Sequence, residues 1–90
     1  MKILMTVTVE RGYDAWRALF DGDAPRRAAA GVWDESGITV ARVEDHTVLV
    51  VANDANVEKL EAMLATPEFA VIRDEYGLTH TVSPIGDPLF

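Results

Sequence analysis

Apolar and polar positions alternate at the start of the chain. Across residues 2–10, Ile3, Met5, Val7 and Val9 fall on one side and Leu4, Thr6 and Thr8 on the other. This period of two predicts a strand with one strongly apolar face. Gly12 breaks it, and the period lengthens. Tyr13, Trp16 and Phe20 recur at i, i+3 and i+7 with Leu19 beside them, which predicts a helix over 13–21. Asp21-Gly22-Asp23 interrupts the stripe. Asp23 is placed to cap a second short helix over 24–30, with Pro25 near its first position and Gly31 as its stop.

Residues 32–44 return to extended structure around a Ser36-Gly37 turn signal, with Ile38 to Val43 as the strand proper. Glu44-Asp45 is a short polar connection, and His46 opens the next strand. Thr47 to Ala52 is nearly continuous in apolar residues, so both of its faces are expected to be covered. A two-residue connection demands an antiparallel hairpin. Asn53-Asp54 is expected to cap the next helix, whose stripe is Val57, Leu60 and Leu64 with Met63 adjoining. Thr66-Pro67-Glu68 marks a break and a restart, with Phe69, Ile72 and Tyr76 as the new stripe and Gly77 as its end. A last strand runs over 78–83 and Pro84 stops it. These elements predict one domain over 1–84, followed by an irregular tail over 85–90.

The order is strand, helix, strand, strand, helix, strand. Right-handed crossovers and one hairpin make the split βαβ, ferredoxin-like α+β arrangement the leading solution. It predicts a four-stranded antiparallel sheet with the first and third strands central and both helical layers on one face. The other face then displays Leu4, Ala41, Val43, Leu49 and Val51 among threonines. An apolar face of several hundred Å2 is unusual on a monomer. The expected remedy is a homodimer packed sheet to sheet about a two-fold axis; a monomer whose tail or ligand covers the face is the alternative.

Composition narrows the function classes. Ninety residues suit one domain, 49% of them apolar and 26% charged. The net charge of −7 repels a phosphate backbone, so no nucleic acid partner is expected, nor an anionic membrane surface. The one basic doublet, Arg26-Arg27, reads as a solvated helix face. There is no cysteine, which excludes disulfides and thiolate chemistry and fits a reducing, cytoplasmic setting. The apolar start is too short and too often interrupted for a signal peptide, and no run approaches the roughly 18 residues of a membrane span. Nothing matches a phosphate-binding loop, a dinucleotide fingerprint, a nucleophile elbow or a metal motif, so neither a cofactor nor a metal is expected.

Two segments carry a resemblance. Tyr13-Asp14-Ala15-Trp16-Arg17-Ala18-Leu19-Phe20-Asp21, followed by Arg26-Arg27-Ala28-Ala29-Ala30-Gly31, resembles the first-helix pattern of the antibiotic-biosynthesis-monooxygenase-like proteins of the dimeric α+β barrel superfamily. Leu64-Ala65-Thr66-Pro67-Glu68-Phe69, running to Glu75-Tyr76-Gly77-Leu78, is similar to their second-helix pattern. With the strand order, the likeness covers nearly the whole chain. It implies the barrel fold and a small hydrophobic or aromatic ligand. Its members include cofactor-independent monooxygenases, polyketide cyclases and haem-degrading enzymes. Fold alone does not choose among them.

Five residues are candidates for a site. His80, mid-strand, is a candidate general base for an acidic phenol or a polyketide α-carbon. Tyr76, at a helix end, is a candidate donor to the developing oxyanion; the resemblance implies such a pairing, since some members use His with Tyr or Asn. The alternative is a half-buried histidine bonded to backbone or water. Trp33 is a candidate for the rim of a ligand pocket, or for an anchor on a partner. Thr6 and Thr8 are candidates for a hydroxyl-bearing cavity, although threonine is also simply a good strand residue. His46, beside Glu44 and Asp45, fits no metal spacing and reads as a solvated turn. The chain is thus either a cofactor-free oxygenase or cyclase, or a non-catalytic dimeric module that binds a small molecule or a partner. A cavity of about 300 Å3 or more between sheet and helices, touched by His80, favours the first.

Overall fold

The computed structural model describes residues 1–85; most of the predicted tail lies outside the described residues. The elements are β1 (Ile3–Val9), α1 (Tyr13–Gly22), α2 (Ala24–Ala30), a 3-10 turn (Glu35–Gly37), β2 (Ile38–Glu44), β3 (Thr47–Ala52), α3 (Val57–Leu64), α4 (Pro67–Tyr76) and β4 (Leu78–Pro84). The fold is α+β and ferredoxin-like, with one antiparallel sheet in the order β2-β3-β1-β4. The apolar first and third strands are central, as their residue patterns require.

Register determines which side chains share a face. Val7 pairs with both Val48 and His80, and Met5 with both Val50 and Val82. These residues, with Ile3, Val9, Ala52 and Leu78, face the helices. Trp16 and Phe20 of α1, Leu60 of α3 and Phe69 of α4 meet them there. Together with Val32 and Trp33 they form one core, in which every member is at most 8% exposed apart from His80 and Val82, which are half-buried at its edge. The stripe spacing explains this layer, because i, i+3 and i+7 positions stack on one side of a helix.

The opposite face carries no helix. Leu4, Leu49 and Val51 are half-buried there and Ala41 is exposed. Thr47, Thr8 and Thr79 form one row across three strands, and Thr6 lies beside Thr81 in the next. Val43 falls at a register shift between Arg42 and Glu44 and is 57% exposed.

Three terminators behave as read. Gly12, Gly31 and Gly77 all have positive φ, and the latter two close α2 and α4 in the left-handed region. Thr66 caps α4, its hydroxyl accepting from the Phe69 amide at 3.2 Å, with Pro67 in the first turn. Two caps differ from expectation. Asp23 makes no side-chain cap bond, because α2 follows α1 without leaving helical backbone (φ −90°, ψ −2°). Asn56, not Asn53 or Asp54, caps α3, accepting from the Lys59 amide at 3.0 Å. The intervening residues are used otherwise: Trp33 pairs with Ala55 in an isolated bridge, and the Ala55 amide donates to the Met1 carbonyl.

The basic doublet also differs. Arg26 is exposed, but Arg27 is only 3% exposed. Its guanidinium donates from Nε and Nη2 to the two carboxylate oxygens of Glu35, at 3.1 and 2.8 Å, and from Nη1 to the Phe20 carbonyl at 2.8 Å. It lies over the Phe20 ring, 3.7 Å from the centroid. A buried guanidinium needs this set of partners, because desolvating it without them is costly.

Candidate functional site

His80 lies on the helix face of β4, with Leu78 and Val82 on the same side and its ring centroid 5.4 Å from that of Phe69. The β4 edge and the α3–α4 corner leave a groove of about 330 Å3 beside it, lined by Glu61, Leu64, Ala65, Arg73, His80 and Val82. Thr66 sets the helix corner beside the groove: its cap starts α4 afresh after α3 ends at Leu64. Among the described residues, neither ring nitrogen of His80 has a hydrogen-bond partner, and no sealed side-chain nitrogen or oxygen is left without one. The ring itself forms part of the groove wall.

Burial, and secondarily the Arg73 guanidinium, lowers the His80 pKa to about 4. The imidazole is neutral at pH 7. Arg73 itself is half-buried, donates to the Leu64 carbonyl at 3.4 Å, and takes part in none of the ion pairs among the described residues. The groove thus holds a neutral imidazole, an unneutralised cation, and apolar wall from Leu64, Ala65 and Val82. Arg73 was not among the residues singled out from the sequence. Its only signal there was position, seven before His80 and one helical turn before Gly77.

The other candidates lie elsewhere. Tyr76 ends α4 with the Arg11 guanidinium 4.7 Å from its ring centroid, and it does not line the His80 groove. Trp33 is 6% exposed, and its indole N–H donates to Glu35, joining it to the Arg27 network. It borders a separate surface depression with Asp34, Asn56 and Glu58. Thr6 and Thr8 face away from the helices, so neither shares a cavity with His80. Thr8 lines a depression of about 370 Å3 with Glu10, His46, Thr47 and Thr79 at the sheet's end. The expected gathering of His80, Tyr76 and Trp33 around one cavity is therefore not formed.

His46 occupies the β2–β3 turn with its side chain 55% exposed. Its Nδ1 lies 2.9 Å from the Val9 carbonyl, and that bond first, then Asp45 and Glu44, raises its pKa. No cluster of three metal-ligating side chains exists among the described residues. None of the described helices is long and apolar enough to cross a membrane.

No family model and no curated protein matches the chain. Solved structures do. SnoaB, a cofactor-independent oxygenase from Streptomyces nogalater, matches with a TM-score of 0.63 over 98% of this chain and 94% of its own, at 17% identity. A candidate antibiotic biosynthesis monooxygenase from Deinococcus radiodurans matches with a TM-score of 0.49 over 100% and 97%, at 14% identity. At such identity the likeness to SnoaB is one of fold alone, and that fold is the ferredoxin-like α+β arrangement described above.

Proposed function

We propose that this chain works in the cytoplasm as a homodimeric α+β barrel and carries out cofactor-independent oxygenation or cyclisation of a small aromatic or polyketide-like molecule held in the His80 groove. The observation that carries this reading is a neutral His80, without a hydrogen-bond partner among the described residues, in the wall of a groove that also holds the Arg73 cation. A neutral imidazole accepts a hydrogen bond, and then a proton, from an acidic hydroxyl or carbon as charge develops on it. Leu64, Ala65 and Val82 offer apolar wall to a ring, and Phe69 backs the imidazole. SnoaB is a cofactor-independent oxygenase on the same fold, which is consistent with this chemistry without assigning it.

One observation favours the alternative. The space between sheet and helices is otherwise filled, and the groove is open at the sheet edge rather than enclosed. A non-catalytic small-molecule-binding or interaction module fits that equally well. Oxygen uptake and product formation on a panel of small phenols and polyketide-like aromatics separate the two. The enzyme reading expects turnover that falls at least about a hundredfold in His80→Ala. Unchanged turnover in that variant removes the proposed base. Ligand binding without turnover across the panel supports the module.

A further inference from the structure

We infer that the ligand of this groove is bound as an anion, an aromatic body bearing a carboxylate or a phenol already ionised at neutral pH, with Arg73 as its counter-charge. The inference rests on the groove reading above and narrows it to one substrate class. Three charged or titratable side chains face the groove: Glu61, Arg73 and His80. Glu61 is exposed on α3 and stands beyond ion-pair reach of Arg73. Four of the six arginines pair with a carboxylate among the described residues: Arg11 with Glu75, Arg17 with Asp21, Arg27 with Glu35 and Arg42 with Asp45. Arg73, half-buried and against an apolar wall, has no such partner among the described residues. A partly desolvated guanidinium with a single long bond to a carbonyl keeps most of its five donors for a partner that enters from outside.

The neutrality of His80 points the same way. With a pKa of about 4 it is unprotonated at pH 7, but it is a weak base. An ordinary phenol, near 10 like tyrosine, outranks it by about six powers of ten in proton affinity. Taking that proton in the groove is uphill unless the ligand is far more acidic or already ionised. His80 keeps the role of base only toward such an unusually acidic group; toward an anion already formed it is the hydrogen-bond partner of a second hydroxyl, while Arg73 supplies the charge.

The test uses the full chain and two probes of one shape, 2-naphthoate and 2-naphthalenemethanol, followed by the NMR shifts of the His80 imidazole. Naphthoate is expected to bind at least tenfold more tightly than the alcohol. Arg73→Gln is expected to erase that difference and leave the affinity for the alcohol unchanged, which also reports that the groove is intact. Glu61→Gln is expected to tighten naphthoate alone. Equal affinities for the two probes, or a preference that survives Arg73→Gln, overturn the anion inference and leave the groove reading standing. Failure of both probes to move the His80 resonances overturns the groove reading and this inference with it.

Discussion

At the scale of the residue, two side chains show how burial changes what a residue does. Arg27 sits in a doublet that looks solvated, with only the cap-position Asp23 as a carboxylate within helical reach. Its partner, Glu35, is eight residues on, across the Gly31 reversal. Such a pairing depends on a turn in space and leaves no periodic trace. Arg27→Ala leaves Glu35 and the Phe20 carbonyl without their donor and removes the cover from the Phe20 ring. A loss of about 3 kcal/mol is expected, at the low end for a broken buried pair because Glu35 keeps some access to water. Urea denaturation measures it. His80 gives a second prediction. Its folded pKa is depressed from 6.5 to about 4. Between those values the unfolded chain binds a proton that the folded chain refuses. Stability is therefore undiminished by this group above about pH 6.5 and falls as pH drops through the window, by an amount on the order of 3 kcal/mol. His80→Gln is expected to flatten that segment of the stability-pH curve. An unaltered slope in the variant would show that the imidazole titrates normally.

At the scale of the element, the strands and helices were legible because each carries its own period and its own stop. The three positive-φ glycines and Thr66-Pro67 sit where the hydrophobic stripe ends. The caps were less legible, since Asn53, Asp54 and Asn56 are all competent by type. The choice among them was made by pairing: the Asn53 amide donates to Gly37 and the Ala55 amide to Met1, so helical backbone begins only after Asn56. The same argument predicts unequal costs. Thr66→Ala and Asn56→Ala each remove a real cap and are expected to cost about 1 kcal/mol. Asp23→Ala removes no cap bond and is expected to stay within about 0.5 kcal/mol of wild type. Thermal denaturation of the three variants gives the comparison. The site was legible only in part for a related reason. Strand parity alone left both faces open to His80, and only the pairing of Val7 with His80 decides it. Arg73 reaches the same groove through the angle between α4 and β4, which no spacing rule encodes.

At the scale of the molecule, the sheet has two unlike sides. One is closed by four helices. The other carries Leu4 on β1, Ala41 on β2 and Leu49 and Val51 on β3, interspersed with threonines that become denser toward β4 through Thr6, Thr8, Thr79, Thr81 and Ser83. Apolar strand residues left half-buried, with no layer above them, favour a second copy as the cover. A small chain gains most from such a partner, because its own core buries a modest share of its surface. The division also sets where a charge does most harm. Leu49 lies on the central strand β3, within the apolar half, and its pairing partners Ala41 and Thr6 flank it on both sides. In a two-fold dimer, Leu49→Lys buries two uncompensated ammonium groups at once, a cost of several kcal/mol. The wild-type chain is expected to sediment as a dimer at micromolar concentration, and Leu49→Lys as a monomer with unchanged far-ultraviolet circular dichroism. Thr81→Lys, near the β4 edge, provides a comparison at which the added charge reaches solvent and dimerisation is weakened less. A wild-type chain that is monomeric and stable under the same conditions would leave the bare sheet face solvated. The barrel assembly would then be wrong, while the His80 groove, built on the other face within one subunit, would remain to be judged by its own ligands.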